Sequence, residues 1–459
     1  MSDRDGPFPA AGQTAPVFVP APRAPEPYLG APPTPPAAPE WPQYPTPTPR
    51  RSRRWIAGVL ALVAVLAIGG RAFYNLVQSG YSDTSADTVL AYLDEQAEAL
   101  LRGDEQGWLE LVDPGSPPLV ARYQAMFTSL RALGVREFHV NVPEVVPQGQ
   151  NSVLAQVDID YCLTGDACAS DPTWENMADA SQRITLTRRD GDMVITSAES
   201  TKDDNAAMPA PWEVSKLFAL HGKRLTLVAS AGQRSHLPRL LPIAERAATV
   251  ADRYAGMIDN PQRHYRIYVA GPQEWTTWYA NPEESTSIGY AQTLTESTTD
   301  VVLNMAELES DAELLAVTIQ HELAHVATIG GLFDDESAGS RMWLEEGLAE
   351  YIGWLPQRAT DSSSRPAVRE ALDSGDRPPS IALPELAEDA DLEEGDTYYG
   401  MAHFAANCLA DKYGDRALMT FARLYLREAT DLDRASEQAF GRPFPAVDKT
   451  CRAWTEAQA

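Results

Sequence analysis

A long apolar stretch near the N-terminus constrains this chain more than any other feature, because so many consecutive apolar residues are not stable on a surface exposed to water. Sixteen residues without a charge (55–70) follow four arginines at 50–54. A helix of that length spans about 24 Å, and extending it past Arg71 to Val77 brings it close to a bilayer core of about 30 Å. Residues 50–77 are therefore predicted to form a basic stop and a transmembrane helix. A cleaved signal peptide is the alternative.

The charges on either side of this segment predict its orientation across the membrane. Four arginines precede it and only Arg71 follows it, which predicts a cytoplasmic N-terminus and an extracellular part from about residue 78. Residues 1–49 hold 16 of the 36 prolines, all between Pro7 and Pro49, and are predicted to be a disordered cytoplasmic tail. A Pro-rich ligand for a cytoplasmic partner is the alternative to a plain spacer. We expect a single-pass protein of the cell membrane.

The charge balance excludes one class of partner. The chain has 65 acidic against 37 basic residues, and residues 1–71 contribute seven arginines and four acids, so the acidic excess lies in the larger part. Nucleic-acid binding depends on clustered Lys and Arg. No nucleic-acid partner is expected.

The four cysteines all follow the apolar segment, and their even number predicts two disulfides in an oxidising compartment. Proximity in the sequence favours a Cys162–Cys168 bridge, which leaves Cys408–Cys451 as the second. The absence of CxxC spacing argues against a metal role. Free buried thiols are the alternative.

The periodicity of the remaining chain predicts an α+β protein with two domains. Residues 85–111 show helical spacing, and alternating strand patterns follow at 135–143, 152–163 and 182–196. Asp190-Gly191 predicts a hairpin turn within the last of these runs. Helices followed by a curved antiparallel sheet resemble the cone of the nuclear-transport-factor-2-like (NTF2-like) fold, which we assign to 81–200.

A Pro-rich joint at 208–212 marks the next boundary, and 212–459 is predicted to be mostly helical with a small antiparallel sheet. Its informative run contains His321-Glu322-Leu323-Ala324-His325 within a helical apolar pattern that Ser310 and Glu313 would cap. Histidines four residues apart project from one helix face and can share a metal. Glu322 beside them can take a proton from a water at that metal.

A second helical run, Met342-Trp343-Leu344-Glu345-Glu346-Gly347-Leu348-Ala349-Glu350, follows. Together the two runs resemble the gluzincin metallopeptidases, the thermolysin-like and aminopeptidase-N-like clan. The resemblance implies Zn²⁺ held by His321, His325 and Glu346. Glu345 is the competing third ligand, about 100° away round the helix. Glu350 shares the face of Glu346 and suits a carboxylate that orients a ligand histidine; a solvated surface acid is the alternative.

A third run, Tyr398-Tyr399-Gly400 through Leu409 to Gly414, resembles the later helix of that clan. It implies that Tyr399 donates a hydrogen bond to the oxyanion, with Tyr398 as the alternative. A core or surface role is expected for His403, with a position facing the cleft as the alternative. The strand Asp300–Met305 would be the sheet edge that pairs with extended substrate. The aminopeptidase signature Gly-Ala-Met-Glu-Asn is absent, so exopeptidase activity is not implied.

These patterns predict a membrane-anchored, extracytoplasmic zinc metallopeptidase acting on a peptide or protein substrate. Glu322 would be the general base, and Tyr399 would stabilise the oxyanion. The alternative is a non-catalytic sensor or adaptor with a degenerate peptidase scaffold. The glutamate between the two histidines favours the enzyme, because a purely structural metal site needs ligands but no base.

Overall fold

The computed structural model describes residues 85–459 apart from 171–172, 174–175, 202–208, 280–287, 334–340, 376 and 388–389. The predicted tail (1–49) and the predicted membrane helix (50–77) lie outside those residues. Within them, no helix is both long and apolar enough to cross a bilayer. The two longest of these, with 22 residues each, carry charged side chains. This finding contradicts the predicted location in the cell membrane.

The described helices are α1 (Ala86–Arg102), α2 (Glu105–Glu110), α3 (Pro117–Leu133), α4 (Pro211–Val214), α5 (Leu237–Ile258), α6 (Pro272–Trp275), α7 (Met305–Leu308), α8 (Ala312–Thr328), α9 (Met342–Gly353), α10 (Arg365–Ser374), α11 (Leu392–Tyr413), α12 (Asp415–Ala422), α13 (Leu432–Phe440) and α14 (Phe444–Gln458). The strands are β1 (Glu137–Pro147), β2 (Ser152–Cys162), β3 (Ala178–Arg189), β4 (Asp192–Thr201), β5 (Leu217–His221), β6 (Leu225–Ser230), β7 (Tyr265–Ala270), β8 (Gly289–Thr295) and β9 (Thr298–Asn304). The predicted α+β class is confirmed.

Strands β1 to β4 form an antiparallel sheet in sequence order, preceded by helices α1 to α3. Strand β2 alternates buried and partly exposed residues, as its sequence predicts. Asp190 and Gly191 both have positive φ angles (52° and 107°), which places the β3–β4 turn where the Asp-Gly pair predicts it. The predicted helical run 85–111 breaks at Gly103, whose φ of 77° ends α1.

The second sheet has five strands in the order β5-β6-β7-β9-β8 and is mixed, which corrects the predicted small antiparallel sheet. Strands β6, β7 and β9 run parallel, while β5 and β8 are antiparallel to their neighbours. Helix α5 provides the crossover that a parallel β6–β7 pair requires. Every residue of β6, β7 and β9 is buried, which is typical of parallel strands covered on both faces.

The strand order also corrects the predicted sheet edge. Strand β9, which contains Asp300, lies between β7 and β8 and is central in the sheet. The edge next to it is β8, a strand that the sequence patterns did not single out. Any partner that adds a strand on this side would therefore pair with β8.

The two sheets share one apolar core. The Trp212 ring, at the Pro-rich joint, packs edge-on against Phe138 and Tyr161 of the first sheet, with ring centroids 6.1 and 5.3 Å apart. The same cluster of buried residues continues to Tyr268 on β7. The division into domains at 81–200 and 212–459 remains a prediction.

Both predicted disulfides are present. Cys162 is bonded to Cys168, and Cys408 is bonded to Cys451. The second bridge joins α11 to α14 across a sequence separation of 43 residues. It therefore ties a helix that carries predicted site residues to the C-terminal helix.

Candidate metal centre

Helix α8 carries the two histidines and begins one residue later than predicted. The carboxylate of Asp311, and not the hydroxyl of Ser310, caps it by accepting hydrogen bonds from the backbone N–H groups of Glu313 (2.9 Å) and Leu314 (3.0 Å). A carboxylate at this position also interacts favourably with the helix dipole. Apolar residues of α8 pack into the core beneath the second sheet; they are Leu315, Ile319, Leu323 and Val326.

Three candidate ligand atoms form a triangle with nearly equal sides. The Nε2 atoms of His321 and His325 are 3.1 Å apart, and each lies 3.4 Å from Oε2 of Glu346. Ligand atoms about 2.0–2.1 Å from a zinc ion, at tetrahedral angles, are about 3.3 Å from one another. The two imidazoles and the carboxylate thus fit one face of a tetrahedral zinc site.

Helix α9 brings Glu346, and not Glu345, to this triangle. Its approach to α11 depends on Gly347, where an added Cβ would lie 2.6 Å from the carbonyl oxygen of Ala402. Trp343 and Leu348 are buried and hold α9 in the helical core. The close contact between the helices fixes the rotation of α9 and hence which glutamate faces the histidines.

Glu350, one turn after Glu346, contacts the opposite side of His321. Its Oε1 lies 3.1 Å from Nδ1 of His321, and its Oε2 accepts a hydrogen bond of 3.0 Å from Nε1 of Trp354. When His321 donates its Nδ1–H to Glu350, its Nε2 lone pair faces the ligand triangle. Nδ1 of His325 has no hydrogen-bond partner among the described residues.

Glu322 lies between the two histidines in the sequence, is 4% exposed, and faces strand β8. An added Cβ on Gly289, the first residue of β8, would lie 2.8 Å from Oε1 of Glu322. A side chain at position 289 would therefore displace the carboxylate of Glu322. Strand β8 thus passes close to the carboxylate of Glu322.

Helix α11 contributes Tyr399 and His403 near these carboxylates. Tyr399 is half-buried, and the pKa of its hydroxyl is raised well above its ordinary value by burial and by the charges of Glu346, Glu350 and Glu322. The choice of Tyr399 over Tyr398 stays a prediction. His403 is fully buried, and its Nδ1 lies 3.7 Å from Oε2 of Glu350.

The electrostatics of the centre pair two imidazoles with buried carboxylates. Burial opposes the charged form of His321, but hydrogen bonds to Glu346 and Glu350 outweigh it and raise the pKa well above its ordinary value. Burial also opposes ionisation of Glu346, yet the two histidines hold the pKa of this carboxyl well below its usual range. Burial raises the pKa of Glu322 although both histidines act to lower it. Glu346 therefore stays ionised, whereas the carboxylate of Glu322 holds a proton more readily.

A second group of side chains with potential metal-ligand atoms cannot bind a metal in this structure. Cys162, Asp166 and Cys168 lie close together, but the two sulfurs are bonded to each other and offer no thiolate. Of these two groups of described residues, only His321, His325 and Glu346 have all their donor atoms available to a metal.

Two features near the centre were not assigned a role from the sequence. The proximity of β8 to Glu322 depends on the order of the strands in the sheet, and residues 289–295 do not alternate regularly between apolar and polar side chains. The proximity of His403 to Glu350 depends on how α11 crosses α9. Only its position four residues after Tyr399, on the same helix face, points towards the site.

Comparisons with known proteins find partial likenesses to solved structures. No family model and no curated protein matches the chain. An NTF2-like protein of unknown function from Shewanella oneidensis MR-1 is 17% identical, with a TM-score of 0.20; the match covers 25% of this chain and 98% of that one. The intermembrane-space region of the chloroplast protein ARC6 is 13% identical, with a TM-score of 0.19, and the match covers 26% of this chain and 98% of that one.

Yeast LTA4 hydrolase in complex with bestatin is 15% identical with a TM-score of 0.31, and the match covers 65% of this chain and 55% of that one. This chain thus spans about half the length of that hydrolase. The structural neighbours therefore include an NTF2-like protein and a hydrolase. All three TM-scores are below 0.5, so these likenesses carry no conclusion about function.

Proposed function

We propose that this chain is a zinc-dependent metallopeptidase of the gluzincin type that hydrolyses peptide bonds with water. The observation that carries the proposal is the ligand triangle of His321, His325 and Glu346, whose sides of 3.1, 3.4 and 3.4 Å match the edges of a zinc tetrahedron. Zinc bound there would polarise a peptide carbonyl and lower the pKa of an attacking water.

Glu322 is the general base in this proposal. Its carboxylate is buried beside both ligand histidines, and burial raises its pKa, which makes it a better proton acceptor than an exposed glutamate. It takes a proton from the attacking water and then donates it to the amine that leaves. This arrangement favours an enzyme over the sensor or adaptor, which has no use for a base at this position.

Tyr399 is the proposed oxyanion donor. Burial and the nearby carboxylates raise the pKa of its hydroxyl well above the ordinary value, so it stays protonated and can donate a hydrogen bond. Negative charge develops on the former carbonyl oxygen during attack, and a donor placed beside it stabilises the transition state. Strand β8, next to Glu322, is the outermost strand of the sheet among the described residues, and its backbone N–H and C=O groups would bind an extended peptide.

Metal content and peptide cleavage by the purified full-length chain test the proposal. We expect one zinc per chain in the wild type and in Glu322→Gln, with kcat lowered at least ~100-fold in the variant because the base is lost. Tyr399→Phe should keep zinc and lower kcat about 100-fold with little change in KM. Glu313→Gln, a matched change at an exposed position of α8, should retain full activity.

Two results would count against the proposal. A wild-type chain that binds no zinc would remove the metal centre altogether. A chain that binds zinc stoichiometrically but cleaves none of a broad set of unstructured peptides would favour the sensor or adaptor.

A further inference from the structure

The carboxylate of Glu350 connects helices α9 and α8 with a third helix, α11. Its Oε1 is 3.1 Å from Nδ1 of His321 on α8. Its Oε2 accepts the indole N–H of Trp354 at 3.0 Å and lies 3.7 Å from Nδ1 of His403 on α11. One carboxylate oxygen therefore serves the ligand histidine, and the other faces two donors.

His403 is an unusual occupant of the helical core. Its side chain is fully buried, and neither ring nitrogen has a hydrogen-bond partner among the described residues. Leaving a buried polar group unpaired costs about 1–3 kcal/mol, so an apolar residue would suit a purely packing position better. The carboxylate of Glu350 is close to one of these nitrogens, and at 3.7 Å a shift of less than an ångström completes a hydrogen bond.

Burial favours the neutral form of the His403 ring. Burial and the nearby His321 lower the pKa of His403 to about 4, although Glu350 acts to raise it. A neutral imidazole carries one N–H donor, and Glu350 is the acceptor that faces Nδ1. His403 can therefore hold Glu350 without adding a second positive charge next to the ligand histidines.

We propose that His403 is a positioning residue of the metal centre, which donates its Nδ1–H to Glu350 and so holds Glu350 against His321. With Oε2 occupied by Trp354 and His403, Oε1 is directed to the Nδ1–H of His321, which keeps the Nε2 lone pair of His321 towards the metal. The inference rests on the proposed function, because it assigns His321 as a zinc ligand.

Zinc affinity, measured by competition with a chelating dye, tests this role without any activity assay. His403→Leu removes both ring nitrogens and should weaken zinc binding about 10-fold or more, the effect typical of losing an indirect support. His403→Asn keeps an amide donor near the Nδ1 position and should stay within about 3-fold of wild type, whereas His403→Gln places its amide near Nε2 and should behave like Leu.

A double-mutant cycle separates positioning from general packing. If His403 acts through Glu350, then Glu350→Ala should weaken zinc binding, and adding His403→Leu to it should produce no further loss. An equal loss from His403→Leu in both backgrounds would overturn the proposal. If the Leu variant does not fold, the contrast between Asn and Gln still decides, and equal affinities for these two would overturn it.

The outcomes keep the two proposals distinguishable. A wild-type chain without zinc contradicts the proposed function itself. A wild-type chain that binds zinc, together with a folded His403→Leu variant of unchanged affinity, contradicts only the positioning role of His403.

Discussion

At the scale of single residues, the choice between two adjacent glutamates determines the chemistry of the centre. Glu345 and Glu346 differ by one position on α9, and the sequence alone leaves both open as the third ligand. In the structure Oε2 of Glu346 lies 3.4 Å from each of the two Nε2 atoms of the histidines. The rotation of α9, fixed by packing, therefore brings Glu346 to the two histidines and makes it the proposed third ligand.

Replacing each glutamate in turn tests this choice. Glu346→Ala should abolish stoichiometric zinc binding, because two histidines alone leave the metal with too few protein ligands. Glu345→Ala should keep zinc at the wild-type level. Metal content after dialysis, measured by mass spectrometry, distinguishes the variants, and the opposite pattern would reassign the third ligand to Glu345.

At the scale of elements, the centre depends on how closely α9 packs against α11. Gly347 permits this approach, since an added Cβ would lie 2.6 Å from a backbone oxygen of Ala402 that cannot rotate away. The same contact places Glu350 of α9 near His403 of α11. Gly347, at the crossing of α9 and α11, therefore allows Glu346 to reach the two histidines and Glu350 to approach His403.

A methyl group added at Gly347 tests whether the close packing of α9 against α11 contributes to stability. Gly347→Ala should lower the free energy of unfolding by about 1–3 kcal/mol, because overpacking outweighs the gain in helix propensity. Gly256→Ala in helix α5 is the matched control, because an added Cβ there meets no atom within 4 Å, and it should stabilise by about 0.5–1 kcal/mol. Urea denaturation measures both, and a stabilised Gly347→Ala variant would contradict the packing argument.

Periodicity predicted the helices of the centre but not the order of the second sheet. The spacing of His321 and His325 and the helical run around Glu346 were sufficient to predict these helices and which side chains share a face. A helix fixes the relative directions of its own side chains. Pairing of β7 with β9 instead of the next strand is a non-local choice, and no local pattern encodes it. The same limit applies to His403, whose contact with Glu350 depends on the crossing of two helices.

At the scale of the whole molecule, a buried ion cluster links the loop after β2 to the second sheet. Nη1 of Arg266 on β7 donates to Oδ1 of Asp166 at 3.0 Å, and Nη2 lies 2.8 Å from Oδ1 of Asp300 on β9. The hydroxyl of Tyr279 donates to the other oxygen of Asp300 at 3.1 Å. Asp166 and Asp300 thus share one guanidinium, so the attraction to Arg266 only partly offsets the free-energy cost of burying the charge of Asp300.

This imbalance predicts a pH dependence of stability. Burial raises the pKa of Asp300 from 3.8 to about 6, although Arg266 acts to lower it. Between pH 4 and 6, roughly, the folded chain keeps a proton that the unfolded chain releases, so the contribution of Asp300 to stability falls as the pH rises through about 6. The loss is on the order of 3 kcal/mol at most.

Asp300→Asn isolates this contribution, because the amide keeps an oxygen for Tyr279 but does not titrate. The free energy of unfolding should decrease less in the variant than in the wild type when the pH is raised from about 4 to 7. Urea denaturation at several pH values gives the difference. Parallel pH profiles for the two proteins would show that Asp300 is already ionised at low pH in the folded chain.

The bridge between Cys408 on α11 and Cys451 on α14 also has a consequence for the continuity of the chain. The two cysteines close a covalent ring that includes α12 and α13. If a protease cuts a peptide bond inside this ring, the two pieces stay joined as one molecule, and the helix bearing Tyr399 remains attached to α14. Such a nick would be visible on a denaturing gel only after the sample is reduced.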